Sequence, residues 1–267
     1  MKIRKYNLRP FETWRNSQSS LGEYLWPQLD YRLSDLQSYH VCWEVRPENK
    51  LANNPAGLAK APISFIHESQ TLLMFESSNK KTALFANSDG QVWKKPETWI
   101  PNQWYKTLSA YSGLSLASKL IRQTPTSYDS YHRSARLENV SCVDFDFLEP
   151  CRGKTWIAIE TTHFFKPMFN REEAIRLVKF VIEKRFSLPK AHQLEVQTNW
   201  ASKYNLQFWI VFYNKKDNYL DTAGKIFRAE VTKKTLKVLT GRISPDFSSF
   251  IYESFSDFHS WLETSKQ

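Results

Sequence analysis

Three carboxylates stand inside two apolar runs of this chain. VDFDF (143–147) sets Asp144 and Asp146 between Val143, Phe145 and Phe147, and TWIAIETTHFF (155–165) sets Glu160 between Ile159 and Thr161. Withdrawing an unpartnered carboxylate from water is costly, and proteins answer the cost with a metal, a partner or a raised pKa. VDFDF alternates with period two, which predicts one strand with an apolar and an acidic face. EPCRGK (149–154) supplies a turn, and the next strand places Ala158, Glu160 and Thr162 on one face. Paired as a hairpin, the two strands bring their acidic faces side by side. Carboxylates converging at a sheet edge make a hard-oxygen site for Mg2+ or Mn2+, with Asp144, Asp146 and Glu160 as the ligands. Such a metal polarises a phosphodiester, activates a water and stabilises the leaving oxygen. The competing reading turns Asp144 and Asp146 to solvent and pairs Glu160 with Arg152 or Arg176. Its mid-strand place beside Trp156, Ile157 and Ile159 tips Glu160 towards function.

The succession of two acid-bearing strands, a helix and a further apolar strand resembles the PD-(D/E)xK nuclease superfamily, which includes restriction endonucleases. The resemblance covers roughly residues 136–214. It implies that Asp144 or Asp146 is the metal-binding aspartate and Glu160 the metal-binding acid, with Thr162 at the catalytic position usually held by lysine. That lysine orients or activates the attacking water, and no proline precedes either aspartate in the expected place. Lys154 and Lys166 then stand as substitute cations and Glu138 as a third acid. The implied activity is Mg2+- or Mn2+-dependent endonucleolytic cleavage of DNA, of a restriction or phage-defence kind, in a homodimer or larger complex.

Two other resemblances compete. VDFDF is also similar to the paired-aspartate motif of archaeo-eukaryotic primases, and VQTNWASKYNLQFWIVF (196–212) to their later strand region, without the family's histidine. This implies a replication-initiation nucleotidyltransferase. The segment from FWIVFYNKK onward resembles small helix-plus-sheet accessory modules, which implies a non-catalytic binder of nucleic acid or protein.

Outside the acids, AHQLEVQTNW (191–200) puts Gln193 and Gln197 on one helix face at i, i+4. Covering an exposed face is the favoured role for both, ahead of an approach to the active edge. The six histidines lack metal-ligand spacing, and alternation points His163 away from Glu160. No serine or cysteine stands in a nucleophile elbow. YHRSAR (131–136) places Arg133 and Arg136 just before the first acidic strand, where they can hold a phosphate. WKKPETWIPNQWYK (93–106) offers Lys94, Lys95 and Lys106 for phosphate contact, with Trp99 and Trp104 as packing residues.

The whole composition agrees with a polyanionic partner. Lys and Arg total 37 against 27 Asp and Glu, a net charge of +10, accompanied by 10 Trp, 12 Tyr and 18 Phe. Basic surfaces attract phosphate backbones and aromatic rings stack on unpaired bases. Only 7 glycines, with no G-x-G-x-x-G or G-x-x-x-x-G-K-[ST], lower the standing of nucleotide-cofactor enzymes and P-loop ATPases. Cys42, Cys142 and Cys151 show no C-x-x-C spacing, which predicts thiols in a reducing cytoplasm and no zinc site. The basic N-terminus lacks a signal-type apolar region, and no stretch reaches bilayer-spanning length.

The elements that must position the acids follow from periodicity. Helices are expected over 20–38, kinked by Pro27, from Gln103 to about 123, over 170–186 with Asn170 and Glu173 as a capping pair, over 191–205 and over 254–265. Strands are expected at 62–66, 71–77, 82–88, 91–95 and centrally at 206–214, with NSDG (87–90) as a hairpin turn. Segments 225–231 and 235–241 predict a further strand or short helix. The expected organisation is a β-rich region over 1–123, for DNA recognition or packing, and a nuclease-like domain over 124–267. The fold class is α/β (α+β): a mixed central sheet flanked by helices in the C-terminal half, with a small antiparallel β-rich N-terminal region.

Overall fold

The computed structural model describes residues 24–46, 71–74, 84–89, 92–93, 97–98, 139–150, 156–164, 170–185, 190–214, 225–239 and 250–264. They fall into two compact units, divided between Phe145 and Asp146, where the sequence reading set its boundary at 123/124. The expected strand 62–66, the expected helix 103–123 and the connector 124–136 lie outside the described residues.

The first unit is antiparallel. Its strands are β1 (Tyr24–Arg32), β2 (Ser38–Arg46), β3 (Thr71–Met74), β4 (Leu84–Asp89), β5 (Val92–Trp93), β6 (Glu97–Thr98) and β7 (Val140–Asp144). One sheet has the order β2-β1-β7, and in a second group β4 pairs with β3, β5 and β6. Asp89 faces Val92 across the β4–β5 hairpin, beside the turn expected at NSDG. Of the helix expected over 20–38, the described part from Tyr24 onward is instead strand β1 and its turn into β2. Pro27 forbids a helix interior but is tolerated in β1, because β7 pairing begins only at Gln28 and Pro27 has a partner on one side alone. Leu29 and Tyr31 are buried from β1, Val140 and Val143 from β7, with Phe145 beyond its end.

The second unit carries β8 (Phe147–Pro150), β9 (Trp156–Phe164), α1 (Arg171–Arg185), α2 (Lys190–Lys203), β10 (Gln207–Asn214), β11 (Lys225–Glu230), α3 (Lys233–Leu239), β12 (Phe250–Ser254) and α4 (Phe255–Thr264). The five-stranded sheet runs β12-β11-β10-β9-β8. β9 and β10 are parallel, joined through α1 and α2, and the other neighbours are antiparallel. The described residues thus form the expected α/β (α+β) fold, a mixed sheet with helices in one unit and antiparallel sheets in the other.

Local chemistry explains the helix boundaries. Asn170 caps α1 as expected, its Oδ1 accepting the Glu173 N–H at 2.9 Å, and Ala174 and Val178 are fully buried on the expected stripe. α4 opens with a capping box: Ser254 Oγ accepts the Asp257 N–H at 3.1 Å, and Asp257 Oδ2 accepts from Ser254 N at 3.3 Å and Oγ at 2.6 Å. At the end of α2 the chain turns at Asn205, whose φ of 55° is the left-handed conformation asparagine tolerates.

The central sheet is covered on both faces. Ile157 and Ile159 of β9, Trp209, Val211 and Tyr213 of β10 and Ile226 of β11 pack with Phe255, Phe258 and Leu262 of α4. Alternation turns the remaining residues to the opposite face, where Phe212 meets Phe227 edge-on at 6.4 Å and Phe227 meets Phe250 at 5.3 Å. α2 lies on this second face, contributing Leu194, Gln197 and Ala201 to the buried set. Burial on both faces gives β10 its nearly unbroken apolar sequence.

One expectation about the acids is corrected. The run 143–147 is not a single strand: β7 ends at Asp144 and pairs with β1, whereas β8 starts at Phe147 and pairs with β9. Alternation of side chains is the same within one strand and across two strand ends, so it carried no sign of this break.

Candidate active site

Among the described residues Asp146 is the first of the second unit, and it precedes the β8–β9 ladder, whose last pair is Phe147 with Ile159. Beyond that pair the Thr161 amide needs an acceptor, and the Asp146 carboxylate supplies it. Asp146 Oδ2 accepts the Thr161 N–H at 2.7 Å and the Thr161 hydroxyl as well. Asp146 as a whole is only 7 % exposed. Two donors converging on one oxygen stabilise its ionised form and offset the cost of burial.

Glu160 lies mid-strand in β9, opposite Ile210 of β10, and is half-buried. Its Oε2 accepts a hydrogen bond from Gln197 Nε2 at 3.1 Å. Gln197 is 1 % exposed, so the expectation that it covers a solvent-facing helix surface is overturned. The signal was present in the spacing, because Gln197 shares its stripe with Leu194 and Ala201. Gln193 is half-buried.

Thr162 faces Phe212 across the parallel pair and is 4 % exposed, on the same side of β9 as Glu160. Asn214, 2 % exposed, ends β10 on that side. The half-buried Glu160 and the buried Thr162 and Asn214 therefore share the sheet face on which Gln197 lies, with Thr162 and Asn214 towards the carboxyl ends of the parallel strands, where open α/β sheets place their ligand crevices. Thr161, which sequence reasoning did not single out, carries its hydroxyl to the other face. The acids thus have different immediate partners, Asp146 on Thr161 and Glu160 on Gln197. Asp144 is half-buried opposite Gln28 in the first unit. His163 lies on the α4 side as expected, its ring 5.9 Å from Tyr213.

The basic residues assigned to nucleic acid, Arg133, Arg136, Lys94, Lys95, Lys106, Lys154 and Lys166, lie outside the described residues, as does Glu138. Among the described residues, Lys203 at the end of α2 and Lys233 and Lys234 at the start of α3 are exposed. A hydrogen bond from Val231 N to Phe208 O of 2.7 Å draws the entry to α3 beside the start of β10, and α2 packs on α3. These three lysines accordingly gather at one end of the sheet.

Among the described residues no group of three or more His, Cys, Asp and Glu side chains is arranged to hold a metal ion. Mg2+ does not require such a group, being held by one or two carboxylates with water and phosphate oxygens. Asp146 and Glu160 supply hard donors of that kind and fit at the level of donor chemistry. Elsewhere in the unit, Arg228 and Glu253 form a buried ion pair, with the guanidinium 4.6 Å from the Trp209 ring centre and 3.7 Å from that of Trp261. Among the described residues, no helix is long and apolar enough to cross a membrane.

Protein-family models, curated proteins and solved structures were compared with the chain, and none matches.

Proposed function

We propose that this chain is a cytoplasmic, metal-dependent endonuclease that hydrolyses phosphodiester bonds of DNA, with Asp146 and Glu160 as its central acids. The observation that carries the reading is the placement of these two carboxylates. One directly precedes β8 and is buried, and the other lies mid-strand in β9, the strand that β8 pairs with, and is half-buried. Bound there, Mg2+ or Mn2+ would polarise the phosphodiester and lower the pKa of an attacking water. The chain's own part is to hold the ligands. Thr161 holds Asp146 in place by donating to its carboxylate, and Gln197 donates to Glu160. Thr162, in place of the usual lysine, brings no cation, so steadying the transition-state charge falls to a basic residue such as Lys154 or Lys166. The net charge of +10 supports a polyanionic substrate.

Glu160→Gln preserves size and hydrogen bonding while removing the charge. It should cut Mg2+-dependent DNA cleavage by about a hundredfold or more, with the circular dichroism spectrum unchanged. Cleavage at the native rate would overturn the proposal.

A primase-like nucleotidyltransferase is the second reading. It rests on the paired aspartates of VDFDF (143–147), with Glu160 turned to Gln197. Template-dependent nucleotide incorporation, lost in Asp144→Asn and Asp146→Asn but retained in Glu160→Gln, would select it.

A further inference from the structure

We propose that Gln197 is a positioning residue that sets the orientation of Glu160 and thereby the affinity of the site for a divalent cation. This rests on the reading of Glu160 as a metal-binding acid. A glutamate side chain has three rotatable bonds, and ordering it at a metal costs conformational entropy. Gln197 removes much of that freedom before any ligand arrives. It reaches Glu160 from α2, a different element, and its own side chain is 1 % exposed and held in the helix–sheet packing.

The chemistry of the donor also matters. An amide N–H stabilises the ionised carboxylate without adding a positive charge that would repel an incoming cation, whereas lysine or arginine at 197 would form an ion pair competing with metal. A buried glutamine at this position suits a carboxylate that must stay anionic and available to a cation. Its burial has a cost, since an amide placed among Leu194, Val196 and Ala201 must find partners, and Glu160 is one. The burial sets Gln197 apart from the exposed polar side chains of the same helix, Asn199 and Ser202.

The test uses the full chain and two substitutions. Gln197→Met keeps length and removes the donor; Gln197→Asn keeps the amide and shortens its reach by one methylene. Calorimetric titration with Mn2+ alone, and the Mg2+ concentration that half-saturates DNA cleavage, are measured well below each variant's melting temperature. Outer-sphere partners of metal ligands characteristically change affinity by about 10–100-fold. Both variants should therefore bind Mn2+ at least about tenfold more weakly and need correspondingly more Mg2+, while cleavage at saturating Mg2+ recovers towards native. A merely structural glutamine would lower the melting temperature and leave both metal readouts unmoved. If either variant fails to fold, the other decides. Metal affinity within twofold of native in a folded variant, in a protein whose Glu160→Gln form has lost Mn2+ binding, overturns the role of Gln197. Undiminished Mn2+ binding in Glu160→Gln would instead overturn the metal-site reading beneath it.

Discussion

Asp146 offers the sharpest test of the geometry, because its hydrogen bonds make a local prediction independent of any activity. Asp146→Ala removes the acceptor of both the Thr161 amide and the Thr161 hydroxyl. Leaving a buried donor unsatisfied costs about 1–3 kcal/mol, and a bond to an ionised acceptor is worth about 1.5–3 kcal/mol. With Asp146 7 % exposed and at the end of a ladder, water replaces part of what is lost, and about 2 kcal/mol is expected at this amide. Since every 1.4 kcal/mol is a factor of ten, that corresponds to exchange about thirtyfold faster. Thr161→Val removes only the hydroxyl donor and should cost about 1 kcal/mol, or roughly fivefold. In the double variant the second change should add almost nothing, because the hydroxyl has already lost its acceptor; the cycle then returns a coupling of about 1 kcal/mol. Native-state hydrogen exchange of the segment 156–164, corrected for intrinsic rates, reads all of this locally and needs no two-state assumption about a two-unit chain. Exchange at position 161 within twofold of native in Asp146→Ala would refute the reasoning.

Two further outcomes are expected elsewhere in the second unit. Arg228→Met leaves the Glu253 carboxylate, with 11 % of its side chain exposed, without its countercharge and should destabilise the unit by about 3–5 kcal/mol by denaturant unfolding, whereas Arg228→Met with Glu253→Met should recover most of the loss. In the α4 capping box, the hydrogen bonds from Ser254, with a smaller contribution from nearby Lys225, hold the Asp257 carboxyl below the usual carboxylate range. A depressed folded-state pKa stabilises the fold above the unfolded value of about 3.9 and loses that contribution as pH falls through the folded value. Protection of the α4 amides should therefore fall on acidification below about pH 4, and Asp257→Asn should lack this acid-side loss.

Glu253 runs in the opposite direction, because burial raises its carboxyl pKa more strongly than the Arg228 pairing lowers it. Its contribution to stability is present below the unfolded carboxylate pKa and is lost as pH rises through the folded value. The pair is thus held in place by packing between Trp209 and Trp261 as much as by attraction between the charges, the same balance that makes buried ion pairs replaceable by apolar side chains.

How far the sequence reached can be traced residue by residue. The Asn170 cap and the stripe of Ala174 and Val178 determined α1, because a cap and a 3.6-residue period are local properties of the chain. The apolar run 207–214 determined a central strand for the same reason. Alternation correctly set Glu160 and Thr162 on one face of β9 and His163 on the other. Propensity failed over 20–38, where a helical spacing was overridden by pairing on both sides of Leu29 and Tyr31, a choice that belongs to the sheet.

What only the tertiary structure decided concerns partners distant in sequence. VDFDF reads identically as one strand or as two strand ends, and only pairing of β7 with β1 and β8 with β9 separates them. Asp146 meets Thr161 fifteen residues on, Glu160 meets Gln197 thirty-seven residues on, and Arg228 meets Glu253 twenty-five residues on. Residue types and periods state which side chains must find a partner, because burial of a polar group is costly wherever it happens. Which partner they find depends on how strands pair and how α2 lies on the sheet, and that is settled by packing of the whole unit.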